Sequence, residues 1–140
     1  MKKRIAILGS TGSIGTQALE VIEEQKDKFD VEVLSANSNS ELLIKQSILH
    51  RPNSVVIVDE NKYDEVFKEL SPLNIKVYSG SESLEQIVCS DNIDMVLTAL
   101  VGYSGLLPTI SAIKSGKKIA LANKETLVVA GGLIKSLCKS

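Results

Sequence analysis

The chain has 140 residues, a net charge of −1 at neutral pH, 44% hydrophobic residues and 24% charged residues. This length suits one domain that buries a core without disulfides or metals, and a charge near zero provides no field that would attract nucleic acid or a membrane. The aromatic content of 4%, without tryptophan, argues against surfaces on which bases stack. We therefore expect a globular protein with neither a nucleic-acid partner nor a membrane partner.

Neither the cysteines nor the amino terminus indicates export. Cys89 and Cys138 are far apart and lack the spacing of a metal or redox motif, so we expect two reduced thiols in a cytoplasmic protein. The basic residues at the start precede an apolar run that stops at Gly9, which is too short for the apolar region of a signal peptide. No stretch approaches the roughly 18 apolar residues of a membrane span.

The first predicted strand, residues 5–8, leads into a turn containing Gly9, Gly12 and Gly15 and then into a helical pattern. A strand, a glycine turn and a helix in this order are the context that a dinucleotide-binding motif requires. A pyrophosphate binds well at a helix N-terminus because the N–H groups there are unpaired and the helix dipole is positive. We expect Gly9 to end the strand, Gly12 to admit the phosphates and Gly15 to let the helix pack closely.

The residues between these glycines support the same interpretation. Ser10, Thr11 and Ser13 add hydroxyl groups, which suit phosphate oxygens. A glycine-rich turn without a ligand is the simpler alternative, but three glycines at a spacing of three with interleaved hydroxyls favour a dinucleotide. A P-loop nucleotidase is excluded because no Gly-Lys-Ser/Thr sequence follows the turn.

The second predicted strand, residues 31–36, ends at Asn37, Ser38 and Asn39. NAD-binding domains usually carry Asp or Glu there to hold the ribose 2′-hydroxyl, and a carboxylate would repel the 2′-phosphate of NADP. The neutral residues therefore favour NADPH, although no arginine stands there to bind the phosphate. A second role is compatible with the first: Ser38 is expected to cap the next helix, with Glu41 completing a capping box.

The middle of the chain alternates between helices and strands. Strands are predicted at residues 54–58, 76–78 and 95–99, and helices at residues 42–49, 63–70 and 84–88. We assign the aliphatic and aromatic stripes of these elements to the core. His50 follows the first of these helices, where the dipole favours a cation, so we expect it to cap the helix rather than to act in catalysis.

The last part of the chain continues this alternation. Gly102, Gly105 and Pro108 are predicted to lie in a turn, and Leu106, Leu107, Ile110 and Ile113 on a helix that ends at Gly116. A sixth strand and a last helix follow at residues 119–122 and 127–134. The whole pattern predicts the α/β class, with a doubly wound parallel sheet of the Rossmann type.

Three polar residues, Asn123, Lys124 and Glu125, directly follow the sixth predicted strand. Ligands of such sheets bind at the carboxyl ends of the strands, where the glycine turn, residues 37–39 and residues 98–102 are also expected. Lys124 suits a phosphate or carboxylate, and Glu125 suits a sugar or amide. From spacing alone the three residues fit a ligand site and a capped helix start equally well.

Three segments together resemble one family, the 1-deoxy-D-xylulose 5-phosphate reductoisomerases. They are residues 7–15 (ILGSTGSIG), 105–109 (GLLPT) and 121–128 (LANKETLV). The resemblance implies that residues 1–140 are an NADPH-binding domain and that Lys124 contacts the substrate. It implies cofactor contacts in the turn at Gly9, Thr11, Gly12, Ser13, Ile14 and Gly15, 2′-phosphate contacts at Asn37, Ser38 and Asn39, and contacts near the nicotinamide at Asn123 and Glu125.

The resemblance also implies an activity for the full-length protein. Members of the family isomerise 1-deoxy-D-xylulose 5-phosphate and reduce it with NADPH to 2-C-methyl-D-erythritol 4-phosphate, in the non-mevalonate pathway to isoprenoids. The divalent metal, Mn²⁺ or Mg²⁺, acts as a Lewis acid and belongs to a later catalytic domain, so no metal site is expected in these 140 residues. We therefore expect this chain to bind NADPH without turning over substrate, and the full-length protein to be a homodimer.

Two other functions fit the same nucleotide-binding pattern. Another NADP-dependent dehydrogenase, such as a semialdehyde or homoserine dehydrogenase, would need a catalytic Cys or Lys in an added domain and would leave residues 123–125 unexplained. A non-enzymatic dinucleotide sensor would bind the cofactor alone and would need a regulatory partner.

Overall fold

The computed structural model describes residues 2–98 and 106–121, which form a parallel sheet with helices on both faces. The strands are Lys3–Leu8 (β1), Phe29–Ala36 (β2), Ser54–Ile57 (β3), Lys76–Ser79 (β4), Met95–Thr98 (β5) and Lys118–Leu121 (β6). The α-helices are Ser13–Glu24 (α1), Ser40–His50 (α2), Tyr63–Leu70 (α3), Ser81–Ile87 (α4) and Leu106–Lys114 (α5), with short 3₁₀ helices at Glu60–Lys62 and Ser71–Leu73. The predicted α/β class is confirmed.

The sheet is wound outward from its centre in both directions. Its strand order is β4-β3-β2-β1-β5-β6, and each neighbouring pair is parallel. The chain runs from β1 to β4 on one side and then returns to place β5 on the other side of β1. The order therefore reverses between β1 and β5, and ligands of open α/β sheets bind outside the carboxyl ends of the strands at such a switch point.

Each face of the sheet carries its own hydrophobic core. Successive side chains of a strand point to opposite faces, so β1 contributes Ile5 and Ile7 to one core and Ala6 and Leu8 to the other. The first core is completed by α1, α2 and α3 through Leu19, Ile22, Leu43, Val66 and Leu70. The second is completed by α4 and α5 through Leu84 and Ala112, so the helices cover both faces as the doubly wound prediction requires.

An ion pair joins the starts of β1 and β5 at the amino edge of the sheet. Arg4 Nε lies 3.2 Å from Asp94 Oδ2, the Arg4 backbone N–H donates to the same oxygen at 2.9 Å, and the Asp94 N–H donates to Arg4 O at 2.8 Å. These hydrogen bonds from Arg4 hold the pKa of the Asp94 carboxyl below its ordinary value. The pair holds β1 and β5 together at the edge opposite the glycine turn.

The turn predicted at Pro108 is wrong, whereas the helix end predicted at Gly116 is confirmed. Pro108 is the third residue of α5, where an N–H would have no intrahelical acceptor, so a proline is tolerated. Gly116 has a φ of 80° and donates to Ile113 O at 3.0 Å, while Lys117 donates to Ala112 O at 3.0 Å. These two bonds satisfy carbonyl groups at the end of α5.

Several apolar residues assigned to the core are exposed. Phe67 and Tyr78 are 46% and 42% exposed, because Val66 and Leu70 occupy the buried face of α3 and Val77 that of β4. Phe67 stacks on Tyr63 with ring centroids 5.7 Å apart. In the described part of the chain, no helix is long and apolar enough to span a bilayer. Residues 99 and 122 and the predicted last helix, residues 127–134, lie outside the described residues.

Candidate functional site

The turn between β1 and α1 has the backbone geometry that its glycines predict. Gly9 has a φ of 82°, a conformation that favours glycine, and its carbonyl accepts the Gly12 N–H at 3.2 Å. A Cβ atom on Gly15 would lie 2.2 Å from Gly9 O and 2.7 Å from Ser10 Cα. Only glycine fits there, and the close packing predicted at Gly15 is made against the backbone of the turn itself.

The N-terminus of α1 is open at the carboxyl edge of the sheet. The N–H groups of the first turn of any α-helix have no intrahelical acceptor. Gly12 is the N-cap residue of α1, and no side chain caps the helix in their place. No acidic residue stands in that first turn to offset the positive end of the dipole. Ser13 and Ile14 are exposed and Thr11 is half-buried. This arrangement suits an anion.

Ser10 does not present its hydroxyl to a ligand, so that part of the prediction is wrong. The residue is completely buried. Its Oγ lies 2.8 Å from Gln46 Oε1, and Gln46 Nε2 donates to Ser10 O at 2.9 Å. The hydroxyl therefore donates to Gln46 inside the protein, because a buried polar group needs a hydrogen-bond partner.

Ser35, at the end of β2, holds the same turn from a second side. Its Oγ accepts the Gly9 N–H at 2.9 Å, and its carbonyl accepts the Ser10 N–H at 2.8 Å. Sequence reasoning missed both Ser35 and Gln46. Ser35 stands between Leu34 and Ala36, and Gln46 is three or four positions from leucines of α2. Polar residues at such positions are buried only with partners, which is the signal that could have found them.

Residues 37–39 directly follow β2 and are exposed at the same edge as the glycine turn. Asn39, rather than Ser38, caps α2, since its Oδ1 accepts the Leu42 N–H at 3.2 Å. The predicted Ser38 cap is therefore wrong. The third residue after the true cap is Leu42, which cannot complete a capping box, so the box predicted with Glu41 is wrong too.

The sheet places the glycine turn and residues 37–39 at one edge, together with Thr98, the first residue of the predicted segment 98–102. β1 pairs with both β2 and β5, so residues 9–15, residues 37–39 and Thr98 share one edge, and Leu8 is in register with Thr98. Residues 99–102 and the predicted site residues Asn123, Lys124 and Glu125 lie outside the described residues. Residues 2–98 and 106–121 hold no group of three His, Cys, Asp or Glu side chains that could bind a metal ion.

His50 lies at the far end of α2 and does not act as the predicted cationic cap. Its side chain is only 8% exposed and its Nδ1 is 3.7 Å from Glu23 Oε2. Burial lowers the pKa of the imidazole, and the Glu23 carboxylate opposes this only in part. Arg51 makes the capping bond, donating from Nε to Ile48 O at 2.9 Å. We assign His50 to the packing between α1 and α2.

The family model for 1-deoxy-D-xylulose 5-phosphate reductoisomerase matches residues 5–131. The chain belongs to this family. It is 60% identical over 137 residues to the reductoisomerase of Phocaeicola vulgatus and 47% identical over 132 residues to that of Prochlorococcus marinus subsp. pastoris. These alignments cover 98% and 91% of this chain, but 36% and 33% of the relatives. The chain thus spans about a third of the length of the curated reductoisomerases that it matches.

Solved reductoisomerases have the same fold. The enzyme from Zymomonas mobilis in complex with NADPH is 33% identical with a TM-score of 0.92, over 99% of this chain and 36% of that one. A reductoisomerase in complex with NADPH, fosmidomycin and magnesium is 32% identical with a TM-score of 0.90, over 98% of this chain and 34% of that one. Biliverdin reductase from Synechocystis, at 16% identity and a TM-score of 0.66, shares the fold alone.

Proposed function

We propose that residues 1–140 are the NADPH-binding domain of a 1-deoxy-D-xylulose 5-phosphate reductoisomerase. The observation that carries the proposal is the uncapped N-terminus of α1 at Gly12, placed at the carboxyl edge beside the β1–β5 switch point. The match to a reductoisomerase solved with NADPH, at a TM-score of 0.92, supports the choice of ligand.

The pyrophosphate of the cofactor is proposed to bind at the start of α1. Gly12 has no side chain, so the phosphates can approach the backbone, and the first N–H groups of α1 can donate to their oxygens. Thr11 and Ser13 add hydroxyl donors beside them, and Ile14 provides an apolar contact for the adenosine. Gly9 shapes the turn, and Gly15 admits the helix against it.

The 2′-phosphate is proposed to bind at Asn37, Ser38 and Asn39. These residues are exposed at the end of β2, and none of them carries the carboxylate that would hold a 2′-hydroxyl and repel a phosphate. The Asn39 Oδ1 caps α2, so its Nδ2 is the side-chain donor left for a phosphate oxygen. NADPH is therefore favoured over NADH.

The remaining contacts are proposed from the sequence, since they fall outside the described residues. Asn123 and Glu125 would contact the cofactor near the nicotinamide, and Lys124 would contact the substrate. The nicotinamide supplies the hydride, and the part played by this chain is to hold it in place.

For the whole protein, the proposed reaction isomerises 1-deoxy-D-xylulose 5-phosphate and reduces it with NADPH to 2-C-methyl-D-erythritol 4-phosphate. The divalent metal, Mn²⁺ or Mg²⁺, polarises the substrate carbonyl and belongs to the part of the family's length that follows this chain. A cytoplasmic homodimer without nucleic-acid or membrane partners completes the proposal.

Calorimetric titration of the purified chain with NADPH and with NADH tests this function. We expect saturable binding of NADPH and weaker binding of NADH. Absence of NADPH binding by the folded chain would contradict the proposal, and equal affinity for the two cofactors would contradict the assignment of residues 37–39.

A further inference from the structure

Gln46 links α2 to the glycine turn by two hydrogen bonds to one residue. Its Oε1 lies 2.8 Å from Ser10 Oγ, and its Nε2 lies 2.9 Å from Ser10 O. Both residues are buried, with exposures of 7% for Gln46 and 0% for Ser10. The two residues are 36 positions apart in the chain, so this contact is made only by the packing of α2 beside the turn.

The donors and acceptors of this contact have one consistent assignment. Ser10 O can only accept, so the nitrogen of the Gln46 amide must face it and the Gln46 oxygen must face the Ser10 hydroxyl. The Ser10 hydroxyl has one proton, which it gives to Gln46 Oε1 at 2.8 Å rather than to Ser35 O at 3.2 Å. Ser35 O already accepts the Ser10 N–H at 2.8 Å. The main-chain N–H, the main-chain carbonyl and the side chain of Ser10 are therefore all held.

Fixing the Ser10 carbonyl also fixes the next amide. The peptide bond between Ser10 and Thr11 is trans, and because peptide units are planar, the Thr11 N–H points in the direction opposite to the Ser10 C=O. Gln46 donates to that carbonyl from α2 at 2.9 Å, and the Thr16 hydroxyl of α1 lies 3.5 Å from the same oxygen. The Thr11 N–H therefore points away from both of these donors. Thr11 itself is half-buried, and Gly12 beside it is exposed.

We propose that Gln46 is a positioning residue for the dinucleotide, which orients the Thr11 N–H toward the pyrophosphate through its paired hydrogen bonds to Ser10. The inference rests on the proposed NADPH function and assigns a role to a residue that touches no part of the cofactor. The same helix begins at Asn39, the proposed 2′-phosphate contact. α2 therefore fixes the position of the glycine turn, at Gln46, relative to that of the 2′-phosphate segment, at Asn39.

The test compares Gln46→Met with Ser47→Ala. Methionine has nearly the length of glutamine but cannot make the paired bonds to Ser10. Ser47 is the next residue of the same helix, is completely buried, and bonds only within α2, to Leu43 O at 2.7 Å. Each variant is titrated with NADPH and with adenosine 2′-monophosphate, which has the 2′-phosphate but no pyrophosphate, and its unfolding midpoint is measured.

We expect Gln46→Met to bind NADPH about tenfold more weakly, the effect of losing about one hydrogen bond to a charged group. Its affinity for adenosine 2′-monophosphate should stay close to that of the original chain. Ser47→Ala should leave both affinities unchanged whatever its effect on the unfolding midpoint. Unchanged NADPH affinity in Gln46→Met, or an equal loss for both ligands, overturns the inference. Failure of the original chain to bind NADPH would instead overturn the proposed function.

A measurement on the unmodified chain covers the case in which Gln46→Met does not fold. NADPH is added to ¹⁵N-labelled protein, and the amide resonance of Thr11 is followed. A large shift of the Thr11 amide on addition of NADPH, and little shift with adenosine 2′-monophosphate, is the expected result. A Thr11 amide that does not respond to NADPH overturns the inference.

Discussion

Gly12 and Gly15 belong to one turn, but the structure gives them different constraints. The Cβ of any other residue at position 15 would meet the backbone of Gly9 and Ser10 at 2.2–2.9 Å, whereas a Cβ at position 12 has its nearest contact at 3.6 Å, from Gly9 O. The first is an obstacle to folding and the second is ordinary van der Waals contact. Substitutions at the two positions therefore separate stability from binding.

Gly15→Ala should destabilise the chain by roughly 1–3 kcal/mol, as expected when a packed site is overfilled, because α1 must move away from the turn. Gly12→Ala should leave the unfolding midpoint close to that of the original chain while weakening NADPH binding, and Gly12→Val should abolish the binding of NADPH and NADH alike. Thermal unfolding and calorimetric titration of the three variants measure this. A Gly12→Val variant that still binds NADPH would refute the placement of the pyrophosphate.

Ser38 is exposed and caps no helix, so a charge can be placed there with little effect on the fold. Ser38→Asp should weaken NADPH binding selectively, because the carboxylate would face the 2′-phosphate, which NADH lacks. Asn53→Asp is the matched control, since it adds the same charge at an exposed position before β3, on the opposite edge of the sheet. An equal loss for NADPH and NADH, or no loss at all, would count against the assignment.

Among the elements, α2 contacts the candidate site at its first turn and at its middle, and its two ends differ in character. Its first turn lies at the carboxyl edge and is capped by Asn39, and its last residue, His50, is packed against α1 near the amino edge. Gln46 lies between them and contacts the glycine turn. Substitutions at Asn39 and at His50 therefore measure what the two ends of α2 contribute to stability without altering the contact at Gln46.

Asn39→Ala should lower the free energy of unfolding by about 1 kcal/mol, the usual loss for an N-cap side chain. Ser38→Ala is the control and should change stability by only a few tenths of a kcal/mol, since an exposed side chain that makes no such bond contributes little. Urea denaturation of the two variants gives both values. A larger loss in Ser38→Ala than in Asn39→Ala would restore the cap that the sequence predicted.

His50 is the only histidine of the chain, so its titration can be isolated. Burial lowers its pKa in the folded state, so the unfolded chain binds more protons than the folded chain below about pH 6.5, the ordinary pKa of histidine. The free energy of unfolding should therefore fall as the pH drops below that value and level off below the folded-state pKa. Asp94, with its lowered pKa, does not contribute until more acid pH.

Urea denaturation of the original chain and of His50→Gln, at pH values between 7.5 and 5, checks this. The difference in unfolding free energy between the two proteins should be constant above pH 7 and should shift in favour of His50→Gln as the pH falls. A difference that is constant over the whole range, or that shifts in favour of the original chain, would contradict the buried neutral imidazole.

On the scale of the whole molecule, the chain covers about a third of the length of the reductoisomerases that it matches. We propose that this third binds the cofactor and that the metal and the substrate phosphate bind to the remainder. One substrate contact, Lys124, is proposed here, and a single lysine cannot replace a metal site and a phosphate pocket. Binding and turnover should therefore be separable in the purified 140-residue chain.

The purified chain should bind NADPH but oxidise it only at the background rate when 1-deoxy-D-xylulose 5-phosphate and Mn²⁺ or Mg²⁺ are present. Absorbance of the reduced nicotinamide follows the reaction, and a full-length reductoisomerase in the same buffer verifies the assay. Metal-dependent oxidation of NADPH by the 140-residue chain would overturn its assignment as a cofactor domain alone.

The class of the fold and the place of the glycine turn were determined by the sequence itself. Alternation of buried strands with amphipathic helices is a local pattern, and it predicted the parallel sheet because parallel neighbours need helical crossovers. The requirement for glycine at positions 9, 15 and 116 was likewise predictable, since turns and helix ends draw on the chemistry of a few adjacent residues.

The fate of individual polar groups was decided only by the tertiary structure. Ser10 has the sequence context of a phosphate ligand, yet its hydroxyl is buried by Gln46, 36 residues away. Asn39, not Ser38, caps α2, and Pro108 lies inside a helix rather than in a turn. Such outcomes depend on which elements pack side by side, and a hydrogen bond between distant residues leaves no periodicity in the chain that joins them.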